Sequence, residues 1–312
     1  MNKISRRGLL AAGSAASLLS NIPGAVNLEQ KKKRRVRFAF VTDPHVQPEK
    51  KAGEGWAACL QHLQKQKDRP EMVICGGDLI MDSLAASPER TKEQWDLVLR
   101  LTKENLKLPI HHTVGNHDVF GWSNGDKYAS DKRFGKTWVC ESLELEKTYY
   151  SFDKGGWHFV VLDSVLRSGN GYIGKLDDAQ FEWLQDDLAK TPKSTPVIVI
   201  SHIPILMVCS LFDGQNEKSG NWVIPGSYMH VDARRLTDLF LKHPNVKLCL
   251  SGHEHQIDRI VYNDVTYVCG GAVCAGWWGG DYFQCTYGYN MIDLFEGGDF
   301  NVEYIPYGWK TS

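Results

Sequence analysis

A short apolar run ends in a polar cluster at VRFAFVTDPH, residues 36–45. Runs this short, apolar and partly β-branched are typical of buried strands, so Val36 to Thr42 is predicted to be a strand. Successive side chains of an extended chain alternate between its two sides. Asp43 and His45 would then face the same side and could share one metal ion, with Pro44 pointing away.

Four further apolar runs end in the same way. They are Met72 to Cys75 before Gly77-Asp78, Ile110 to Val114 before Gly115-Asn116-His117-Asp118, Val197 to Ile200 before Ser201-His202, and Val246 to Leu250 before Gly252-His253-Glu254-His255. In open α/β sheets, ligands bind at the carboxyl edge of the strands. We therefore expect the same edge of one sheet to carry all five clusters.

Helical patterns lie between these runs. Ser87 can cap a helix that Pro88 opens, and apolar residues recur at helical spacing as far as Leu106. The other predicted helices cover Glu54 to Lys67, Asp177 to Lys190 and Asp232 to His243. This alternation of strands and helices predicts an α/β fold.

The pattern changes from Asp264 onward. Short strands are predicted at Val265 to Cys269, Tyr289 to Phe295 and Phe300 to Pro306, separated by glycine-rich turns. We expect residues 264–312 to complete a second sheet. The glycine- and aromatic-rich stretch from Gly270 to Gly288 matches no element.

The side chains of the five clusters suit metal binding. Imidazole and carboxylate groups bind first-row divalent ions, and the absence of cysteine from every cluster argues against a thiolate site. Asp78 is best placed to bridge two ions about 3.5–4 Å apart. Two divalent ions with Asp43, Asp78 and a bridging hydroxide would retain a charge of about +1, which suits an anion such as phosphate.

The motifs D-x-H, G-D, G-N-H-D, H and G-H-x-H, in this order, resemble the calcineurin-like metallophosphoesterase superfamily. A further segment resembles its purple-acid-phosphatase-like members; it contains Leu162-Asp163-Ser164, Gly174, Leu176, Gln180, Trp183 and Leu184. The resemblance implies a four-layer α-β-β-α sandwich with two mixed β-sheets. A dinuclear metal site would lie at the carboxyl edge of the strands, in a domain covering residues 36–312.

The resemblance also assigns roles to individual residues. It implies that Asp43, His45 and His255 hold one metal, that Asp78 bridges, and that Asn116, His202 and His253 hold the second. His117 would stabilise or protonate the leaving oxygen, and Asp118 would orient the imidazole of His117. Purple acid phosphatases place a tyrosine where this chain has Met81, so tyrosinate-bound iron is not expected. The site could hold two divalent ions or a mixed-valence pair, and manganese, iron and zinc are all candidates.

The first 30 residues differ in composition from the rest, with a basic start and an apolar stretch from Leu9 to Leu19. Ser5-Arg6-Arg7-Gly8-Leu9-Leu10 resembles a twin-arginine export signal. We expect the twin-arginine machinery to export the chain to the periplasm or beyond; the alternative is a disordered basic tail. The apolar stretch is too short for a spanning helix, so no stable membrane span is expected in the mature chain. Residues 31–35 would form a basic linker.

The composition of the chain limits the kinds of partner and metal site that we expect. The 312 residues carry a formal net charge of -1, with 23% charged residues, so no nucleic-acid partner is expected. Eight cysteines include no C-x-x-C pair, which argues against a zinc ribbon. Cys75 and Cys249 are predicted to be buried in strands. An exported chain could form disulfides, for which Cys269, Cys274 and Cys285 are candidates with no pairing implied.

Two groups of residues could contact a substrate. Trp277 and Trp278, with Tyr282, Phe283 and Tyr287, could form an aromatic wall for a flat leaving group or could pack in the core. Arg133, Arg167 and Lys175 could contact a phosphate. His111 and His112 lie within a strand next to the site, so one of them could line it, but structural roles are the better interpretation for both.

These observations predict metal-dependent hydrolysis of a small phosphoester by a metal-bridging hydroxide that attacks phosphorus in line. The substrate could be a phosphomonoester, a phosphodiester or a cyclic nucleotide. One alternative is an exported nuclease on the same core, and another is a metal-binding or sensing protein without turnover.

Overall fold

The computed structural model describes residues 32–310. The predicted export signal and the first linker residue, Lys31, lie outside this range. The strands are β1 (Arg34–Val41), β2 (Met72–Cys75), β3 (Ile110–His112), β4 (Tyr150–Lys154), β5 (Trp157–Val161), β6 (Val165–Ser168), β7 (Gly171–Gly174), β8 (Val197–Ile200), β9 (Val246–Ser251), β10 (Ile257–Tyr262), β11 (Val265–Gly270), β12 (Gly288–Phe295) and β13 (Phe300–Pro306). The α-helices are α1 (Ala52–Gln64), α2 (Pro88–Asn105), α3 (Gly125–Tyr128), α4 (Thr137–Leu143), α5 (Asp178–Lys190) and α6 (Ala233–Lys242).

Two large mixed sheets form the centre of the fold. One has the strand order β13-β12-β1-β2-β3, and the other has the order β10-β11-β9-β8-β5-β4. Strands β1, β2 and β3 are parallel to one another, as are β5, β8, β9 and β11. Strands β6 and β7 form a separate hairpin.

The side chains of β1 show how the layers pack. Phe38 and Phe40 are buried in the core between the two sheets, whereas Ala39 and Val41 join the core beneath α1 and α2. Strands buried on both faces are near-continuously apolar, which explains the apolar stretch from Phe38 to Val41 in β1. The second sheet packs its other face against α5 and α6. The predicted four-layer sandwich is confirmed.

Helix ends follow their capping residues. Ser87 accepts a hydrogen bond from the backbone N–H of Arg90 (3.2 Å) at the start of α2. Asp177 accepts one from the backbone N–H of Gln180 (2.7 Å) at the start of α5. An oxygen at this position satisfies an amide that lacks a partner within the helix.

Three details differ from the sequence predictions. The five clusters follow strands of both sheets, not of one, because β1, β2 and β3 lie in the first sheet and β8 and β9 in the second. Residues 264–312 complete both sheets: β11 pairs with β9, whereas β12 and β13 extend the sheet of β1. Arg34 and Arg35 belong to β1, so the strand begins within the predicted linker.

Cys75 and Cys249 are buried within strands as predicted. All eight cysteines are free thiols. Within residues 32–310, no helix is both long and apolar enough to cross a bilayer.

Candidate metal centre

All seven predicted metal ligands meet where the two sheets come together. We call them the ligand cluster: Asp43, His45, Asp78, Asn116, His202, His253 and His255. Each follows the carboxyl end of β1, β2, β3, β8 or β9 by a few residues. Six of the seven side chains are at most 2% exposed, and the side chain of His253 is 9% exposed. Burial on strand ends fixes these groups before any ion binds.

The cluster divides into two donor sets that share Asp78. In the first, His45 Nε2 lies 3.0 Å from His255 Nε2, and His255 Nε2 lies 3.6 Å from Asp43 Oδ1. In the second, His202 Nε2 lies 3.0 Å from Asn116 Oδ1 and 3.2 Å from His253 Nδ1. Asp78 Oδ2 lies 3.6 Å from His45 Nε2 and 3.2 Å from His202 Nε2, so it contacts both sets.

Backbone carbonyls orient three of the histidine rings. His202 Nδ1 donates to Gly76 O (2.8 Å), His253 Nε2 to Ser227 O (2.9 Å) and His255 Nδ1 to Ala275 O (2.6 Å). A ring that donates through one nitrogen presents the lone pair of the other nitrogen. Each inner nitrogen is therefore an acceptor that faces the other acceptors of the cluster.

This donor set fits metal cations. Lone pairs 3.0–3.6 Å apart repel one another unless a positive charge lies between them. Burial lowers the pKa of His253 to about 3, so its ring stays neutral and free to bind. Burial also opposes protonation of His202, but the Asp78 carboxylate outweighs it and raises the pKa of His202 to about 9. The centre of the cluster thus favours positive charge, and its nitrogen and carboxylate donors suit manganese, iron or zinc.

Five of the seven ligands have left-handed backbone. The φ angles are 53° at Asp43, 41° at His45, 52° at Asp78, 74° at His253 and 55° at His255. Extended geometry, which the sequence suggested for Asp43 and His45, is therefore wrong, although both side chains do reach the cluster. Such conformations cost on the order of 1–3 kcal/mol each and persist where surrounding structure enforces them.

Two glycines let the ligands approach. A Cβ atom at Gly115 would overlap the carboxylate and backbone nitrogen of Asp78. A Cβ atom at Gly252 would overlap Thr42 and the carboxylate of Asp43. The glycines of G-N-H-D and G-H-x-H thus allow β3 and β9 to deliver their ligands against those of β2 and β1.

His117 lies beside the ligand cluster and lines the pocket above it. Its ring packs edge-on against His45, with centroids 4.8 Å apart. Asp118 does not orient this ring as the resemblance implied, because its carboxylate accepts backbone N–H groups from Asp78, Leu79, Ile80 and Gly115 (2.8–3.4 Å). The carboxylate near the ring belongs to Asp82, whose Oδ1 lies 3.7 Å from His117 Nδ1. Asp118 therefore holds the loop that carries Asp78.

A small pocket of about 190 Å³ opens above the ligands. Beyond the ligands and His117, its lining consists of four aromatic and two acidic residues, which we call the pocket wall: Tyr172, Asp213, Tyr228, Glu254, Trp277 and Tyr282. Trp277 stacks on His255 with centroids 4.3 Å apart. Tyr282 meets Trp277 edge-on at 5.2 Å and donates from its hydroxyl to Asp213 Oδ2 (3.1 Å).

The aromatic residues named from the sequence divide between two roles. Trp277 and Tyr282 line the pocket, whereas Trp278 and Tyr287 stack on each other in the core with centroids 5.9 Å apart. Phe283 is 49% exposed and does not line the pocket.

None of Arg133, Arg167 and Lys175 lines the pocket. Arg133 pairs with Asp131 (2.8 Å), and its guanidinium lies over the ring of Trp138. His111 stacks on Phe152 with centroids 4.0 Å apart, and burial lowers the pKa of His112 to about 4. Both histidines are structural, as expected.

Sequence reasoning missed several residues around the site. Asp213 and Tyr228 lie in irregular segments whose sequence carries no periodic signal. Cys274 was also missed: its Sγ lies 3.7 Å from His255 Nδ1, close enough to be grouped with His45 and His255 as a candidate ligand. Burial raises the pKa of Cys274, which favours a neutral thiol packed behind the ligand.

A four-layer sandwich with two donor sets sharing one carboxylate defines a class of dinuclear metalloproteins. Residues 36–257 match the family described as calcineurin-like phosphoesterase, and the chain belongs to this family. The resemblance stated from the motifs is thereby confirmed.

The individual relatives share only a small fraction of their sequence with this chain. The chain is 27% identical to the human serine/threonine-protein phosphatase CPPED1 over 216 residues, which covers 69% of this chain and 62% of that protein. It is 22% identical to a 3′,5′-cyclic-nucleotide phosphodiesterase from Nostoc over 81% of this chain and 84% of the relative. A dimetal phosphatase from Danio rerio shares the fold, with a TM-score of 0.59 at 14% identity, over 88% of this chain and 100% of that one.

Proposed function

We propose that this protein hydrolyses phosphoesters at a two-metal centre. The observation that carries the proposal is the pair of donor sets that share Asp78, with His117 beside them in the same pocket. Relatives described as phosphatases and phosphodiesterases support the same reaction class.

The two donor sets indicate which residues would hold each ion. Asp43, His45 and His255 would bind one, Asn116, His202 and His253 would bind the other, and Asp78 would bridge them. When bound, two such ions would make water available as a nucleophile at neutral pH and would neutralise charge that develops on the phosphoryl oxygens. Manganese, iron and zinc are all compatible with these donors, and Met81 leaves no tyrosine at the position that purple acid phosphatases use for iron.

His117 supplies the proton that the leaving oxygen needs. In an in-line displacement the leaving group departs opposite the nucleophile, so the acid must face the pocket without being consumed as a ligand. The ring of His117 lines the pocket, and its buried Nδ1 lies toward Asp82, which leaves Nε2 as the nitrogen for the leaving oxygen. Asp82, 3.7 Å away, is placed to stabilise the protonated imidazole.

Metal reconstitution of the full chain tests the proposal. The protein would be stripped with a chelator, reloaded separately with manganese, zinc or iron, and assayed with p-nitrophenyl phosphate and bis(p-nitrophenyl) phosphate. We expect turnover that depends on added metal and is largely lost in Asn116→Ala. If neither ester is hydrolysed with any of the metals, the result would contradict the proposal and favour a metal-binding or sensing protein without turnover.

The nuclease alternative is less compatible with the pocket. The volume of the pocket, about 190 Å³, is below the roughly 300–1,000 Å³ typical of small-molecule sites. The carboxylate of Asp213 at the pocket would also repel a polyanionic strand. Incubation with supercoiled plasmid checks this point directly, since nicking would favour the nuclease.

We further propose that the enzyme acts outside the cytoplasm, after export through the twin-arginine system. The support is the Arg6-Arg7 pair followed by an apolar stretch. Replacing both arginines by lysine should retain the protein in the cytoplasmic fraction of a bacterial host. Unchanged fractionation would contradict the export proposal without affecting the chemistry.

A further inference from the structure

We propose that Cys209 and Cys269 are a redox-active pair that small disulfide compounds oxidise to a disulfide bond, which anchors one segment of the pocket wall. The two residues are distant in sequence: Cys209 lies on the loop after β8, and Cys269 lies in β11. In the folded chain the side chain of Cys209 hydrogen-bonds that of Cys269. This proposal concerns the thiols alone and does not depend on the proposed hydrolysis.

An aspartate of β10 holds the loop at this position. Asp258 is the cross-strand partner of Cys269 in the antiparallel pair of β10 and β11. Directly opposed residues of such a pair lie on the same face of the sheet, so the carboxylate of Asp258 and the thiol of Cys269 share a face. Asp258 Oδ2 accepts the backbone N–H groups of Val208 (2.5 Å) and Cys209 (2.9 Å). The loop is therefore fastened beside Cys269 by contacts that involve neither sulfur atom.

The two thiols differ in exposure, which sets the order of the reaction. Cys209 is half-buried, whereas Cys269 is 2% exposed. The adjacent thiol of Cys209 and burial both raise the pKa of Cys269, so Cys269 is the less reactive thiol toward a reagent in solution. Cys209 is accordingly the thiol that an external disulfide meets first.

The reaction is a two-step thiol–disulfide exchange. The thiolate of Cys209 attacks a small disulfide, here oxidised glutathione, which forms a mixed disulfide and releases one glutathione thiolate. Cys269 then gives up its proton, attacks the sulfur of Cys209 and releases the second glutathione thiolate. The two protein thiols lose two electrons, the reagent gains them, and the two protons end on the two glutathione molecules.

The surroundings of Cys269 tolerate the loss of its thiol hydrogen. The Sγ atom of Cys269 lies 3.3 Å from Gly252 O, to which the thiol donates. Gly252 O also accepts the backbone N–H of Glu254 at 2.9 Å. Oxidation therefore leaves this buried carbonyl with a hydrogen-bond partner.

The bond would anchor the loop segment that places Asp213 at the pocket. Phe212 in this segment is 63% exposed. Asp213 Oδ2 contacts the rest of the site through the hydroxyl of Tyr282 (3.1 Å) and Nε2 of Gln256 (3.5 Å). A segment with few buried apolar contacts opens locally at low cost, and a covalent bond from Cys209 to β11 would restrict that opening.

Peptide mapping tests the pairing. The full chain would be oxidised with oxidised glutathione, alkylated with iodoacetamide in denaturant and digested without reductant. We expect a cross-linked peptide that joins Cys209 to Cys269, is lost in Cys209→Ser and is retained in Cys140→Ser, where another half-buried thiol is replaced. A bond from Cys269 to Cys274 or Cys285, or a glutathione adduct that persists on Cys209, would overturn the proposal.

Melting temperature and proteolysis test the anchoring. With manganese held constant, the oxidised wild type should melt about 5 °C above the protein reduced by tris(2-carboxyethyl)phosphine, because a disulfide that closes a long loop restricts the unfolded chain. Tryptic cleavage after the exposed Lys218 should slow by about tenfold.

The same variants serve as controls for the anchoring. Both differences should vanish in Cys209→Ser and in Cys269→Ala and should persist in Cys140→Ser. Comparing the two redox states within one variant removes any loss of stability that the substitution itself causes. Equal melting temperatures and cleavage rates for oxidised and reduced wild type would overturn the anchoring role. Neither measurement involves turnover, so failure here would leave the proposed hydrolysis unaffected.

Discussion

The ligand cluster and the pocket wall lie against each other but are built differently. Each ligand follows a strand of the central sheets by a few residues, and carbonyls of neighbouring segments orient three of the rings. The wall comes largely from the irregular segments after β8 and β11, which also expose Phe212 and Trp222 to solvent. The difference indicates that reaction chemistry is fixed by the scaffold, whereas substrate choice is carried by loops that can vary independently.

The strongest test of this division is removal of the shared carboxylate. Asp78→Asn should lower kcat/KM on the order of 10⁴-fold, because two metals supply several kcal/mol of transition-state stabilisation. Bound metal, measured by plasma mass spectrometry, should fall below two ions per chain. Full metal content with wild-type turnover would refute the bridging role of Asp78.

Replacing His117 should separate metal binding from catalysis. His117→Ala should retain two ions but reduce turnover of alkyl phosphoesters by about 10²- to 10³-fold, the usual contribution of a general acid. The loss should be smaller for p-nitrophenyl esters, since p-nitrophenolate leaves without protonation. Equal losses for both leaving groups would argue against proton donation by His117.

Replacing Asp118 should mainly lower folding stability, whereas replacing Asp82 should mainly lower turnover. Asp118→Asn replaces one of two oxygens that accept four backbone N–H groups, so the free energy of unfolding should fall by about 2–4 kcal/mol. Asp82→Asn retains the oxygen that caps Leu84 and should change that quantity by less than about 1 kcal/mol.

Urea unfolding of both variants, paired with turnover of an alkyl ester, provides the comparison. Asp82→Asn should reduce that turnover by up to about tenfold through the imidazole of His117. The opposite outcome, with Asp118→Asn stable and Asp82→Asn unfolded, would restore the role first assigned to Asp118.

Metal removal should destabilise the ligand cluster and leave the wall nearly unaffected. Chelation should lower the melting temperature by about 5 °C, because ions that bind only the folded chain stabilise it by about 3–4 kcal/mol at saturating concentration. Differential scanning calorimetry with and without added manganese measures this shift. No shift with any of the three metals would contradict tight binding at the cluster.

A change in the wall should have the smallest effect. Tyr282→Phe removes the hydroxyl that donates to Asp213 and should raise KM by about two- to fivefold with kcat nearly unchanged. Steady-state kinetics on bis(p-nitrophenyl) phosphate give both constants. A loss of kcat similar to that of His117→Ala would show that wall and ligand cluster do not act separately.

Sequence alone predicted the ligand cluster because two signals coincide there. Apolar runs such as Val197 to Ile200 mark strands, and polar residues of metal-binding type follow directly. The capped helices were predicted for a similar reason, since Ser87 and Asp177 act within one turn of chain.

The rest depends on contacts between distant segments. Which sheet each strand joins depends on pairing, so β8 and β9 could not be separated from β1 by local pattern. Trp277 and Trp278 are adjacent and identical in type, yet one lines the pocket and the other packs in the core, because the chain turns between them with positive φ at both. The position of Asp82 near His117 likewise depends on tertiary packing.

The left-handed backbone at five ligands has a consequence for how this scaffold can change over time. Asparagine and glycine adopt that conformation more readily than histidine does, so exchanging a ligand for either relieves local strain while it abolishes metal binding. Such an exchange therefore sets the relief of backbone strain against the loss of the stabilisation that bound ions provide. Because the two effects are similar in size, the architecture can outlast the reaction.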